Sequence, residues 1–253
     1  DGSSLFGRNN RYAVFFALGG MWNLKNEEFL KNPPVGKDLL RWKYQRYVKE
    51  YCRTIRSVDE QVGRLLDYLE EKGVLDNTVI VYTSDQGFLL GEHGLYDKRF
   101  MYEESFRTPL IISCPSLVKK HSVCKELVQN IDLAPTFLSL AGVEVPKEMS
   151  GRSLLPLFKN GKAENWRNEL YYHFYDYPAV GSVRKHDGIR TKRYKLIHWY
   201  GEGSGNDEAI DFWELYDLKK DVMEVNNVYD NPKYVKVREA LTVQLEKLRK
   251  DVG

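Results

Sequence analysis

Two short segments hold the residue types from which chemistry is made. Thr83-Ser84-Asp85-Gln86-Gly87 sets a carboxylate beside a side-chain amide, directly after the apolar run Val79-Ile80-Val81-Tyr82. In open α/β sheets ligands gather at the carboxyl ends of strands, and two hard oxygen donors there suit Ca²⁺ or Mg²⁺. The same residues equally suit an Asx-type turn in which Gly87 supplies a positive φ. Gly91-Glu92-His93-Gly94 comes next, followed by Tyr96-Asp97-Lys98-Arg99-Phe100-Met101-Tyr102-Glu103. A lysine held among aromatics binds a tetrahedral anion as a point charge, and Asp97 and Arg99 beside it can hydrogen-bond a polar substrate. A solvated charged loop is the plainer alternative.

Positioning such groups requires a frame, and the periodicity supplies one. Leu40, Tyr44, Tyr47, Tyr51, Ile55, Val58, Val62, Leu65 and Leu69 recur every three or four residues, which predicts a helix of about nine turns from Asp38, stopped near Gly73. The β-branched run at 79–82 suits a strand buried on both faces, and 110–114 reads as a second strand stopped by Pro115. Asp132 is placed to cap a helix over 134–141 that ends at Gly142. Strands alternating with helices indicate an α/β layer with a parallel or mixed sheet. After about residue 158 the pattern changes to short strands at 171–175, 189–191, 194–200 and 213–218. A closing helix from about 232 to 250 carries Val235, Leu241, Leu245 and Leu248. We therefore expect two parts, 1–158 and 159–253, the second a small antiparallel sheet covered by one helix. Residues 1–36 read as irregular, with breaks at Gly19-Gly20 and Pro33-Pro34.

Composition sets limits on function. The 253 residues are 42% hydrophobic and 29% charged, an ordinary globular balance that excludes disorder and rods. Net charge is only +2, which argues against a nucleic-acid partner held by charge. No apolar run approaches the roughly 20 residues of a membrane-spanning helix. Cys52, Cys114 and Cys124 are too few for a disulfide framework and contain no CxxC. The chain begins at Asp1 with no signal peptide, from which we expect a natural start further upstream.

The motifs together resemble the second half of a type I sulfatase of the alkaline-phosphatase-like superfamily. They comprise Ser84-Asp85-Gln86-Gly87, Gly91-Glu92-His93-Gly94, and Lys98 with Tyr102-Glu103 and Thr108-Pro109. The series continues through Asp132-Leu133-Ala134-Pro135-Thr136, Gly151-Arg152-Ser153-Leu154, Gly188-Ile189-Arg190-Thr191, Tyr194-Lys195-Leu196-Ile197 and Glu214-Leu215-Tyr216-Asp217-Leu218. The likeness covers roughly 38–253 and is strongest to bacterial sulfatases of sulfated carbohydrates, glycosaminoglycans included. It implies an alkaline-phosphatase-like mixed sheet flanked by helices, hydrolysis of sulfate esters or sulfamates, Ca²⁺, and a periplasmic or secreted location. By the resemblance, Asp85 and Gln86 match metal ligands, the second being more often Asn or His in the family. Lys98 matches the catalytic lysine on the sulfate oxygens. Asp97, Arg99 and, in the GEH turn, His93 lie where substrate would. Residues 181–200 hold six Lys or Arg against one acidic residue, suiting an anionic sugar or a solvated sheet face. His186, read there as a loop residue near the pocket mouth, is the substrate candidate of that stretch.

The departures are as informative. The family's formylglycine nucleophile comes from a Cys/Ser-x-Pro/Ala-x-Arg signature, and none occurs here. In Cys114-Pro115-Ser116-Leu117 the proline follows the cysteine directly, so Cys114 reads as structural. The chain is thus expected to hold part of a metal and sulfate site, with the nucleophile in a missing N-terminal half and the isolated piece inactive. The competing readings are a phosphodiesterase or phosphonate hydrolase of the same superfamily, a non-catalytic sulfated-glycan binder, and an inert structural fragment.

Overall fold

The computed structural model describes residues 29, 31–177, 183–203 and 208–252. The irregular stretch expected over 1–36 lies almost wholly outside them. The chain divides into two compact units, one made of 1–78, 88–97 and 180–182, the other of 79–87, 98–179 and 183–253.

In the first unit the periodic apolar residues do form a single helix, α1 (Gly36–Glu71). Its exposed side is laced by Arg46–Glu50 and Arg56–Glu60 pairs at i,i+4 spacing, worth a few tenths of a kcal/mol each. Gly73, at φ +67°, ends it and returns its N–H to the Glu70 carbonyl. A two-residue hairpin, β2 (Leu89–Leu90) with β3 (Tyr96–Asp97), packs against it. Tyr47 meets Tyr96 edge-on at 5.3 Å, and Tyr51 stacks on Phe88 at 5.9 Å. Phe29 packs on Trp42 at 4.4 Å near the start of the helix, while Leu40, Ile55 and Leu65 remain exposed.

The second unit opens with β1 (Ile80–Thr83), which pairs antiparallel with β4 (Leu110–Ser113). The expectation of a strand buried on both faces is overturned, since no residue of β1 is buried and Tyr82 and Ile111 are exposed. Among the described residues the pair packs on one side, where Leu110 and Ile112 meet a cluster of Leu154, Leu157 and Phe158. The short α2 (Glu103–Phe106) lies between these strands in the chain, and α3 (Leu133–Leu140) and α4 (Leu155–Phe158) follow. Gly142 ends α3 at φ +70° as expected.

Asp132 does not cap α3. Its buried carboxylate instead accepts the N–H groups of Gln129 and Arg152, each at 2.8 Å, and both arms of the Arg167 guanidinium. The Thr136 hydroxyl accepts the Leu154 N–H at 2.8 Å. The Asp132–Thr136 and Gly151–Leu154 motifs are therefore two halves of one lock. Gly151 has no room for a side chain, because a Cβ there would stand 1.9 Å from the Ile131 carbonyl oxygen.

The remainder is an antiparallel meander, β5 (Glu169–Phe174), β6 (His186–Thr191), β7 (Tyr194–Gly201) and β8 (Ile210–Asp217), covered by α5 (Val235–Val252). One face buries Ile189, Leu196 and Leu215 under Leu241 and Leu245 of the helix, as alternation in strands and a 3.6-residue period in the helix require. This is the small sheet with one helix expected from the sequence, and the α/β class holds for the whole. Cys114 is buried, consistent with a structural role.

Candidate active site segments and their supports

Asp85 and Gln86 occupy the turn that leaves β1. The Ser84 hydroxyl donates to the Gln86 carbonyl at 2.8 Å and lies 3.3 Å from an Asp85 carboxylate oxygen. The Asn130 amide donates to the Asp85 carbonyl at 2.7 Å, leaving the exposed Asp85 carboxylate directed by local bonds alone. Gly87 is not at positive φ among the described residues, so the Asx-turn account of this glycine fails. It is needed for close approach: its N–H donates to the Ser105 carbonyl at 2.9 Å, and a Cβ would lie 2.1 Å from the Glu104 oxygen. The turn carrying Asp85 and Gln86 is thereby tied to the segment that follows Lys98.

A test of the implied cation rests on the donor set. A carboxylate and an amide oxygen are the hard ligands Ca²⁺ prefers, but the ion takes six to eight oxygens. Among the described residues no group of three or more His, Cys, Asp or Glu side chains gathers to hold a metal. Asp85 and Gln86 fit as a share of a calcium shell.

Lys98 is half-buried and makes no ion pair or hydrogen bond among the described residues. Its neighbours hold unusual backbone: Asp97 at φ +77° and Arg99 at φ +90°, with His93 at φ +56° earlier in the loop. Non-glycine residues are rarely found there, and such positions persist only where surroundings over-determine them.

Those surroundings are the part the sequence did not disclose. The Tyr172 hydroxyl donates to the Arg99 carbonyl at 2.8 Å. The fully buried Lys195 ammonium donates to the Met101 carbonyl at 2.7 Å and pairs with Glu103 at 2.9 Å and Glu224 at 2.7 Å. Glu224 in turn accepts the Glu103 N–H, and Arg190 clasps the Glu103 carboxylate at 3.2–3.3 Å. The Tyr102 hydroxyl and the Trp199 indole N–H both reach Glu214. A lysine inside a strand reads as a solvent-facing residue, so only tertiary structure reveals Lys195. Its signal in sequence is confined to the Tyr194–Ile197 motif.

Two expectations are corrected here. His186 is not in a loop: it begins β6, is fully buried, stacks on Trp199 at 4.1 Å and has its Nδ1 2.8 Å from the Arg184 carbonyl. Burial lowers its pKa to about 4, so at neutral pH a neutral, enclosed imidazole has no path to a sugar. The basic stretch is likewise largely neutralised internally, Arg190 by Glu103, Lys192 by Glu126, Arg193 by Asp217 and Lys195 by Glu103 and Glu224. The stretch is thus neither a free anion-binding patch nor simply a solvated sheet face, since Lys195 is buried and Arg190 largely so.

The network has a pH signature. Burial alone would raise Glu103, but Lys195 and Arg190 outweigh it and bring the carboxyl from its usual 4.5 down to about 2. The stability this confers is complete above pH 4.5 and is lost as pH falls toward 2, on the order of 3 kcal/mol. Burial raises Glu224 despite Lys195, so that group acts in the opposite sense. We expect Glu103→Gln to flatten the acid limb: between pH 5 and pH 3 its Tm should fall less than that of the unmodified protein. Parallel Tm curves would show that Glu103 does not titrate as described.

Comparison with known proteins adds the family. A family model described as "Sulfatase" matches residues 9–143, and one described as "N-sulphoglucosamine sulphohydrolase, C-terminal" matches residues 91–251. The N-acetylglucosamine-6-O-sulfatase of Bacteroides thetaiotaomicron is 51% identical over 225 residues, covering 88% of this chain and 39% of that relative. A multifunctional alkaline phosphatase superfamily protein of Trinickia caryophylli is 35% identical over 196 residues, covering 73% of this chain and 36% of its own length. A solved structure in complex with its substrate, D-glucosamine-2-N, 6-O-disulfate, superposes with a TM-score of 0.81 at 51% identity, covering 88% of this chain and 44% of that one. The chain spans about two-fifths of the relatives it matches.

Proposed function

The chain belongs to the sulfatase family, and we propose on that premise that it is a portion of an enzyme hydrolysing sulfate esters on glucosamine-type residues of a sulfated carbohydrate. The observation that carries this reading is the 51% identity, over 225 residues, to an N-acetylglucosamine-6-O-sulfatase. It is supported by a half-buried lysine without an ion partner among the described residues, on a loop of strained backbone. In this reading residues 1–158 are the carboxy-terminal part of the catalytic domain and residues 159–253 form a small carboxy-terminal subdomain. Among the described residues no helix is long and apolar enough to cross a membrane. We place the enzyme in the periplasm or outside the cell, where sulfated glycans are met.

The residues divide the work as follows. Lys98 neutralises a sulfate oxygen as charge grows on the leaving side, the demand that dominates such reactions. Asp85 and Gln86 hold Ca²⁺, which when bound polarises the sulfate oxygens. Asp97, Arg99 and His93 contact sugar hydroxyls. The nucleophile and the remaining metal ligands are assigned to no residue here, because the formylglycine signature is absent from the 253 residues.

The test is sulfate release from N-acetylglucosamine 6-sulfate by the full-length protein. Absence of release, with turnover of a phosphonate monoester instead, would favour the hydrolase reading that the 35% match leaves in view. Asp85→Ala should abolish calorimetrically measured Ca²⁺ binding, at least a tenfold weakening by loss of a charged ligand. Unchanged Ca²⁺ affinity would remove Asp85 from the metal site.

A further inference from the structure

We propose that the sheet β5–β8 is a positioning frame for Lys98 and that Tyr172, whose hydroxyl holds the carbonyl of the adjacent Arg99, is its positioning residue; this rests on the assignment of Lys98 to the sulfate. The residues that follow Lys98 are fastened one after another to this sheet and the turn behind it. Arg99 is held by Tyr172 of β5 at 2.8 Å, and Met101 by Lys195 of β7 at 2.7 Å. Tyr102 is held by Glu214 of β8 at 3.1 Å, and Glu103 by Glu224 at 2.6 Å. Phe100, Met101 and Tyr102 are also buried. Only one peptide unit separates Lys98 from the first of these bonds.

That first bond falls where the backbone needs it most. Arg99 stands at φ +90°, a conformation that costs of order 1–3 kcal/mol for a side-chain-bearing residue and survives only under external restraint. A neutral donor aimed at its carbonyl is such a restraint. The Tyr172 ring is itself set between Phe106, edge-on at 5.4 Å, and His186 at 5.5 Å. Burial raises the Tyr172 hydroxyl to about 12, against the opposing charge of Arg99, so it remains a donor across the working pH range. The enclosed His186 thus acquires a use as a wall of the tyrosine's slot.

A bond that merely stabilised the fold would cost stability and leave the action of Lys98 unchanged. Tyr172→Phe keeps the ring and removes only the donor. In the full-length protein, with N-acetylglucosamine 6-sulfate as substrate, we expect Tyr172→Phe to lower kcat roughly ten- to hundredfold, as a misplacement near 1 Å does. KM should move by less than about threefold and Tm by only a few degrees. In a Lys98→Ala background the same substitution should have no further effect on kcat, because the group it positions is gone. If Lys98→Ala is slow but Tyr172→Phe is as fast as wild type, or lowers kcat by the same factor in the wild-type and Lys98→Ala backgrounds, the positioning role is overturned and the sulfatase reading stands. If Lys98→Ala itself retains full activity, the assignment of Lys98 fails first and the positioning role goes with it.

Discussion

Lys98→Ala in the full-length protein is expected to reduce kcat for sulfate release by about 10²–10³-fold, the usual effect of deleting one preorganised partner of a developing oxyanion, with Ca²⁺ content unchanged. Lys98 differs from the cations of the sheet in its unit. Arg190, Arg193 and Lys195 are each committed to buried or half-buried carboxylates, whereas Lys98 has no ion partner among the described residues. A half-buried ammonium with its charge unspent is suited to an oxygen of a sulfate ester, which shares a single negative charge over three oxygens. Because the proposed calcium donors Asp85 and Gln86 sit on a separate turn, loss of Lys98 should act on rate and not on metal. Lys98→Arg should recover only part of the rate, since a planar fork does not replace a compact point charge. Full activity in Lys98→Ala, measured on protein of unchanged Tm, would end the assignment.

The elements carrying these residues were legible to different degrees. Helix α1 and helix α5 follow from three- and four-residue spacings that only a helix satisfies, and the β5–β8 strands from apolar alternation between turn residues. What sequence did not convey is what depends on contacts distant in the chain. The run at 79–82 is apolar enough for a core strand, yet among the described residues β1 has a single pairing strand and one covered face. His186, in Arg184-Lys185-His186-Asp187-Gly188, has the composition of a loop. It becomes the buried start of a strand because Trp199 stacks on it and Asp187 is clasped by Arg249 at 2.6 Å. Gly87 was read for its φ and is needed for its lack of a side chain. The catalytic candidates follow from the family resemblance of their motifs, whereas of their supports Lys195 shows only as part of the Tyr194–Ile197 motif and Tyr172 and Glu224 carry no local signature.

Asp132→Ala should be the most destabilising single change on this surface-poor side of the second unit, costing about 3–5 kcal/mol. The carboxylate is completely buried and satisfies four donors: two backbone N–H groups and both guanidinium arms of Arg167, itself 8% exposed. Truncation leaves a buried cation and two buried N–H groups without their acceptor, and it unlatches the 151–154 segment from α3. Asp132→Asn, which keeps one acceptor oxygen but loses the charge, should fall between. Pairing Asp132→Ala with Arg167→Met should recover part of the loss, because removing the stranded guanidinium is cheaper than leaving it buried. Urea unfolding followed by circular dichroism reads all three. If Asp132→Ala shifts the midpoint by less than the equivalent of about 1 kcal/mol, or if Arg167→Met makes the double variant worse additively, the carboxylate is not the latch between the two motifs. The join between the two motifs would then rest on the Thr136–Leu154 bond instead.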